Sequence, residues 1–93
     1  GGPLLYTVSF FGAPVSVIGS DDVDAVAGVL QALGGLRDVI ALYRDTRPEM
    51  AEVVLRAAPP ASDPNPWPDA TAIRTIVADW WKGHTAEITV VRA

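Results

Sequence analysis

Proline interrupts this chain most densely over residues 58–68, APPASDPNPWP, where five of the eleven positions are proline. Because proline fixes φ and has no backbone N–H, we expect neither a helix nor a paired strand in this segment. The stretch that follows it is too short to form a second core. The sequence therefore predicts one domain over residues 4–93 with a surface loop inside it, preceded by a vector-derived remnant at residues 1–3.

Composition limits the partners that such a domain can have. The net charge is −4 and no cluster of lysine or arginine occurs, so nucleic acids and anionic membranes are poor candidates. The absence of cysteine excludes disulfides and thiolate-bound zinc and is typical of a reducing cytoplasm. No apolar run reaches the roughly 20 residues of a membrane span. Apolar residues make up 49% of the chain and charged residues 19%, which indicates apolar surface that a second subunit could cover.

The N-terminal half begins with strand-forming residues and continues into a helix. Residues 4–11 alternate in hydrophobicity and are rich in β-branched and aromatic side chains, which predicts the first strand, ended by the Gly-x-Pro at 12–14. Residues 20–22, Ser-Asp-Asp, are typical of a helix start, and helical apolar spacing continues from there to a Gly-Gly pair. In an alternative register, which excludes this one, residues 13–19 form the first strand.

The C-terminal half repeats the strand and helix signals. Residues 37–45 and 50–57 carry apolar runs of strand length around a proline-containing connector, which favours an antiparallel hairpin. Asp69 and an apolar spacing of 3.6 residues predict a second helix that ends near Gly83, and residues 86–92 predict a last strand. The order β-α-β-β-α-β is that of the ferredoxin-like fold, an α+β two-layer sandwich. In it, a four-stranded antiparallel sheet carries two helices on one face, and the other face must be polar, covered by a loop or paired with a second subunit.

Few residues could carry catalysis. Asp21, Asp22 and Asp24 lie close together, but their spacing is typical of a helix N-terminus and lacks the pattern of a calcium loop. His84 is the single histidine, and no serine or aspartate pattern accompanies it, so we interpret it as an exposed surface residue. The sequence therefore predicts no catalytic residue, no metal and no cofactor.

The aromatic residues are interpreted as packing residues. Trp80 and Trp81 are adjacent on a predicted helix, so their side chains diverge by about 100°. One should face the core, and the other should lie at the helix edge or in an interface. Tyr6 and Phe10 sit on a strand like the stacking aromatics of RNA-recognition domains, but the acidic balance of the chain favours a place in the core.

The junction between the first strand and the first helix has two interpretations. Gly12 could let the backbone approach a ligand, so that N–H groups and the positive end of the helix dipole bind a carboxylate. A plain turn from strand to helix explains the same residues, and the spacing alone favours the turn.

Four segments of the chain together resemble the ACT domain, a small regulatory module that binds amino acids: YTVSFFGAP, DAVAGVLQALGG, LRDVIALYRD and AEVVLRAAPP. More narrowly, they are similar to the ACT domain that precedes the haloacid-dehalogenase-type catalytic domain of actinobacterial phosphoserine phosphatases. The resemblance covers nearly the whole chain in outline. It implies a cytoplasmic regulatory domain that forms a homodimer and acts on a catalytic domain of the same parent chain, without being an enzyme itself.

The resemblance also implies a ligand and its site. The ligand would be a small amino acid, with L-serine as a candidate, because serine is the end product of that pathway. The binding residues would be Gly12, Ala13 and Pro14 together with Ser20 and Asp21 at the helix start.

A departure from the family pattern favours a second hypothesis. The Asp-x-Pro-Gly usual in the ligand loop of this family is absent from the chain. The alternative function is therefore that of a ligand-free oligomerisation module of the same fold. A small stand-alone enzyme is a third hypothesis with less support, since the chain offers one histidine, no cysteine and no convergent polar set.

Overall fold

The computed structural model describes residues 3–42 and 70–93. The elements in chain order are β1 (Leu4–Phe10), β2 (Ala13–Gly19), α1 (Asp22–Ala32), α2 (Leu36–Ala41), α3 (Ala70–Lys82) and β3 (Ile88–Arg92). The strands form an antiparallel sheet in the order β2-β1-β3, and the helices pack on one of its faces. Within these two segments, no helix has the length and hydropathy needed to cross a membrane.

β1 and β2 form a hairpin that closes through the two-residue turn Phe11-Gly12. Both turn residues have positive φ, 50° and 86°, and Phe10 pairs with Ala13 on either side of them. This is the geometry of a type I′ turn, whose twist matches the twist of the paired strands. The predicted first strand is thus confirmed, and it ends at Phe10.

The loop predicted between Gly12 and the first helix is wrong, because residues 13–19 form β2. The sequence offered residues 4–11 or residues 13–19 as the first strand. Both stretches form strands, because the chain turns back on itself between them. Pro14 does not prevent this pairing. The backbone N–H and C=O groups of the odd-numbered residues of β1 point to β3 and not to β2. Pro14 lies opposite one of these residues, Ser9, so its nitrogen faces the outer edge of the sheet. The missing N–H of Pro14 therefore costs no ladder hydrogen bond.

α1 begins and ends close to the predicted residues. Asp21 is the N-cap, and its side chain accepts a hydrogen bond from the N–H of Asp24. At the other end Gly34 has a φ of 80°, which only glycine adopts without cost. The N–H groups of Gly34 and Gly35 donate to carbonyls of the last turn in a Schellman motif, which satisfies these carbonyls.

α2 occupies the first part of the stretch 37–45, where the sequence predicted the second strand. That prediction is wrong for the residues in α2. Leu36, Val39 and Ile40 are buried at helical spacing i, i+3 and i+4, so one face of the helix enters the core. Burial of this face outweighs the β propensity of valine and isoleucine, which is a weak and context-dependent preference.

The α+β class is confirmed, but the order of elements differs from the predicted β-α-β-β-α-β. The chain starts β-β-α-α, and the sheet has three strands within the described residues. The strand predicted at 50–57, the proline-rich loop at 58–68, Trp67 within it and the cap at Asp69 lie outside the residues that the structure describes.

The second predicted helix and the last predicted strand are confirmed as α3 and β3. Ile73, Ile76 and Val77 of α3 are buried in the same core as Ile88 of β3. Tyr6 of β1 is buried with them, as predicted. The even-numbered side chains of β1 point into this core, so the opposite face of the sheet carries the odd-numbered ones.

Candidate functional site

The residues predicted to bind a small amino acid stand at opposite ends of the sheet. Gly12, Ala13 and Pro14 belong to the hairpin turn and the start of β2, whereas Ser20 and Asp21 follow the end of β2. A strand rises about 3.3 Å per residue, so the two groups lie about 20 Å apart along β2. The structure therefore does not bring these five residues together into one site.

Side chains of the chain itself satisfy the N-terminus of α1. The Asp21 Oδ1 atom accepts the N–H of Asp24 at 3.0 Å. The Asp24 Oδ2 atom accepts the N–H of Ser20 at 2.8 Å and its hydroxyl at 3.2 Å. Two carboxylates thus already complement the helix dipole, which confirms capping as the role of these aspartates and disfavours a second anion there.

Arg74 of α3 completes this cluster with a bidentate ion pair. Its Nη1 and Nη2 atoms donate to Oδ1 and Oδ2 of Asp21 at 3.0 and 2.7 Å. The Arg74 guanidinium, followed by the hydrogen bond from the Asp24 N–H, holds the pKa of the Asp21 carboxyl below its ordinary value. Both side chains are roughly half exposed, so the pair joins α1 to α3 without a large energetic contribution.

Asp21→Asn should reveal how much this ion pair contributes. Because folding lowers the pKa of Asp21, the carboxylate stabilises the fold above its unfolded pKa of about 4, and this contribution disappears as the pH falls through the folded value. Asparagine keeps the capping acceptor and removes the charge. We expect the variant to lose at most about 1 kcal/mol in the free energy of unfolding at pH 7 and to match the wild type near pH 2.

Urea unfolding at both pH values measures this difference. Asp22→Asn is the matched control, because it removes the same charge from the same helix turn without touching the Arg74 pair. A loss for Asp21→Asn that stays constant between the two pH values would contradict the ion-pair account.

Trp80, Trp81 and His84 form a second cluster at the end of α3. Both tryptophans are partly buried against the core. The Trp81 Nε1–H donates to the carbonyl of Ile88 at 2.8 Å, which ties α3 to β3. The His84 ring stacks on Trp80 at 4.3 Å, and its Nδ1 atom lies 2.8 Å from the Trp80 carbonyl oxygen. His84 is therefore partly buried against Trp80, and it is less exposed than the surface residue that the sequence predicted.

Among the residues that the structure describes, those on the sheet face opposite the helices are mostly exposed and none of them is charged. We call it the open face; its residues are Leu5, Thr7, Ser9, Pro14, Ser16, Ile18, Thr89 and Val91. Leu5, Ile18 and Val91 are 50%, 68% and 63% exposed. Large aliphatic side chains with this exposure on one uncharged surface are typical of a protein contact surface.

The aliphatic side chains are concentrated at one end of the open face. Leu5 pairs with Ile18 across β1 and β2, and Val91 pairs with Thr7 one row further along. The hydroxyl and proline residues follow towards the hairpin turn. The open face thus has an aliphatic end and an end of smaller side chains, and the latter finishes at the turn.

Phe11 stands in the hairpin turn that joins β1 to β2. Its φ of 50° is a left-handed conformation that costs a residue with a side chain about 1–2 kcal/mol. Its ring contacts the Phe10 ring edge-on, with centroids 5.0 Å apart, yet Phe11 remains 59% exposed. Asparagine or glycine normally occupies this turn position. Burial within the described chain does not explain a phenylalanine here.

Sequence reasoning missed these features for different reasons. The Asp21–Arg74 pair joins residues 53 positions apart, and no local pattern connects them. The open face exists only once β1 pairs with β2 and β3. Phe11-Gly12 did carry a signal, because a strand-like run on both sides of a residue pair ending in glycine is typical of a hairpin.

Neither a search for metal-binding residues nor a comparison with known proteins adds a functional assignment. Within residues 3–42 and 70–93, no group of three histidine or carboxylate side chains is placed to hold a metal ion. Comparisons of the chain with protein-family models, curated proteins and solved structures found no significant match.

Proposed function

We propose that this chain is an oligomerisation module that pairs with a second copy of itself through the open face. The observation that carries the proposal is the exposure of Leu5, Ile18 and Val91 on a sheet surface to which residues 3–42 and 70–93 contribute no charged side chain. This is the second of the three functional hypotheses that the sequence suggested.

The exposed aliphatic side chains are sufficient for a moderate affinity. Each of the three is at least half exposed, and burying such a side chain contributes about 1–2 kcal/mol. A two-fold interface uses every residue twice, which doubles the contribution to about 6–12 kcal/mol before the entropic cost of association is subtracted. We therefore expect a dissociation constant in the micromolar range or weaker.

A second copy suits the open face better than a charged partner does. In a two-fold interface each patch meets its own copy, so any charge on the patch would face a like charge nearby. The chain carries a net charge of −4, and its open face is a surface on which two such chains can approach without this repulsion.

The amino-acid-binding function stays a prediction. Its residues stand at opposite ends of β2, and the carboxylates of Asp21 and Asp24 already occupy the N-terminus of α1. The geometry therefore favours a module without ligand over a serine-binding ACT domain. Isothermal titration of the chain with L-serine and glycine tests this directly, and saturable binding would restore the regulatory hypothesis.

Sedimentation equilibrium of the wild type and of two lysine variants tests the proposed dimer. Ile18→Lys places a charge on the open face, and we expect it to raise the dimer dissociation constant at least about tenfold, which corresponds to about 1.4 kcal/mol. Leu33→Lys is the matched control, because Leu33 is also an aliphatic residue that is more than half exposed, and it lies at the C-cap of α1. It should change the dissociation constant less than about twofold.

Circular dichroism and thermal unfolding establish that both variants keep the fold. A wild-type chain that remains monomeric at millimolar concentration would overturn the proposal. Equal effects of the two lysine variants on the dissociation constant would show that the interface lies outside the open face. That result would overturn the proposal as well.

A further inference from the structure

We infer that the outer edge of β2 is a second self-association surface, at which the β2 strands of two copies pair antiparallel with Ser16 opposite Ile18. This contact consists of backbone hydrogen bonds. It is therefore distinct from the side-chain contact through the open face, and it does not depend on that contact.

β2 forms one margin of the sheet among the residues that the structure describes. Its even-numbered residues lie opposite odd-numbered residues of β1, whose N–H and C=O groups point to β3. The backbone polar groups of Pro14, Ser16 and Ile18 therefore point away from the sheet. All three residues are exposed, so this edge is accessible to a partner.

The two ends of this edge offer no N–H group to a partner. Pro14 has no N–H, and the N–H of Ser20, the next even-numbered residue, donates to the Oδ2 atom of Asp24 at 2.8 Å. The edge thus presents the N–H groups of Ser16 and Ile18 between two blocked positions. Unpaired backbone groups along an exposed strand are a template for a further strand.

The positions of these donors select one antiparallel register. When Ser16 of one copy lies opposite Ile18 of the other, these residues exchange both hydrogen bonds, and the two-fold axis passes between the two copies of Val17. Both N–H groups and both carbonyls are then paired in each copy. An axis at Ser16 would place Ile18 opposite Pro14, which has no N–H. An axis at Ile18 would place Ser16 opposite Ser20, whose N–H is already bonded.

The margin of the sheet formed by β3 is closed where that strand begins. The N–H of Ile88 donates to the His84 carbonyl at 2.9 Å, and the Trp81 Nε1–H donates to the Ile88 carbonyl at 2.8 Å. β3 also ends with the charged Arg92, whereas β2 contains no charged residue. Proteins usually protect an exposed edge with charges or a covering element. β2 lacks both of these protections, which favours pairing at its edge.

The antiparallel register also keeps the acidic ends of α1 apart. The carboxylates of Asp21 and Asp24 lie beside Ser20, three residues along the chain from the axis at Val17. In the pair, the two acidic ends are separated by about 20 Å along the strands, well beyond the screening length of about 8 Å at physiological salt. Close to the axis α1 has Gly28 beside the Val17 side chain, so it adds no bulk there.

Edge pairing is compatible with association through the open face. The two-fold axis of the edge pair is perpendicular to the sheet, so the open faces of both copies point to the same side. Two such pairs can stack through the open face, which would use both surfaces in a complex of four chains.

Disulfide formation tests the edge pair, because the chain contains no cysteine and every thiol can be introduced on purpose. In the proposed register, Val17→Cys lies opposite its own copy with a Cα separation of about 4.5 Å, which suits a disulfide. Val15→Cys is the matched control, because it changes the same residue type on the same strand and face. Its two thiols would lie about 13 Å apart.

Under mild oxidation, Val17→Cys should give at least about tenfold more disulfide-linked dimer than Val15→Cys. Stacking through the open face cannot produce this difference, because both valines point to the helix-bearing face. Circular dichroism establishes that both variants keep the fold. Equal yields from the two folded variants, or no disulfide in either, would overturn the edge pair.

Ser16→Pro provides a second test, in a chain that also carries Leu5→Lys. Leu5→Lys places a charge on the open face of the central strand and leaves the edge of β2 intact. Proline at position 16 removes an outward N–H and no ladder hydrogen bond, as at Pro14. We expect it to raise the dissociation constant at least about tenfold in sedimentation, whereas Ser16→Ala, which keeps the N–H, should change it less than about twofold. Equal dissociation constants for the two substitutions would overturn the edge pair.

The outcomes separate the edge pair from the open-face dimer. A wild type that associates, together with a monomeric Leu5→Lys chain and no Val17→Cys disulfide, would overturn the edge pair and support the open face. A Val17→Cys disulfide, together with an association that Leu5→Lys does not weaken, would support the edge pair and overturn the open-face proposal.

Discussion

Replacing Ile88 with alanine is expected to lower the free energy of unfolding by about 3 kcal/mol, which is typical of a cavity left in a packed core. Ile88 begins β3 and is only 1% exposed, among the side chains of the helices and of β1. Alanine removes three carbon atoms from this contact and leaves a space that neighbouring side chains fill incompletely. Urea unfolding followed by tryptophan fluorescence measures the loss.

Val91→Ala is the matched control for Ile88→Ala. Val91 lies on the same strand but points to the open face, where it is 63% exposed. At a concentration low enough to keep the chain monomeric, its replacement should change the free energy of unfolding by less than about 0.5 kcal/mol. Equal losses at the two positions would contradict the assignment of the buried and open faces of β3.

Gly19→Ala is expected to lower the free energy of unfolding by about 2 kcal/mol, because it forces an extra carbon into a closely packed contact. A Cβ atom at Gly19 would lie 3.0 Å from the backbone nitrogen of Ala25 and 3.3 Å from its Cα atom. Both atoms belong to the backbone of α1, which cannot rotate away as a side chain can. The end of β2 and the start of α1 would have to separate.

Gly28→Ala separates this backbone effect from the general effect of adding a methyl group. A Cβ atom at Gly28 would also meet a neighbour at 3.0 Å, but that neighbour is the Cγ2 atom of the Val17 side chain, which can shift. Alanine in a helix interior gains about 1 kcal/mol in helix propensity over glycine, which offsets the crowding. We expect Gly28→Ala to be nearly neutral under the same urea assay, and a loss as large as that of Gly19→Ala would refute this distinction.

The helices with clear end signals could be predicted from the sequence. Asp21 and the Gly34-Gly35 pair delimit α1 because capping depends on the chemistry of a few adjacent residues. The same holds for the spacing of Ile73, Ile76 and Val77 in α3, since a helix that packs on a core repeats its apolar residues with its own period.

Two elements were predicted incorrectly because their residues suit more than one structure. The Gly-x-Pro at residues 12–14 indicated that a loop follows the first strand. Residues 13–19 form β2 instead, because an edge strand tolerates Pro14. Val39 and Ile40 suggested a strand, but they are buried from one helical face. In both cases the environment supplied by other elements decided between the alternatives.

The candidate site depended even more on the assembled fold. The sequence pointed to Gly12 and Asp21 as parts of one site, and the intervening strand separates them. Asp21 instead meets Arg74, which no local spacing could indicate. The open face gathers Leu5, Ile18 and Val91 from three strands, so it could not be seen before the strand register was known.

By itself, the sequence determined the α+β class, the ends of α1 and the positions of α3 and β3, because caps and periodic apolar spacing act between residues a few positions apart. Only the tertiary structure decided the hairpin register, the helical state of residues 36–41 and the surface left open for a partner. These outcomes depend on contacts between residues distant in the chain. Their free energies come from apolar surface that several segments bury together, so no single segment determines them.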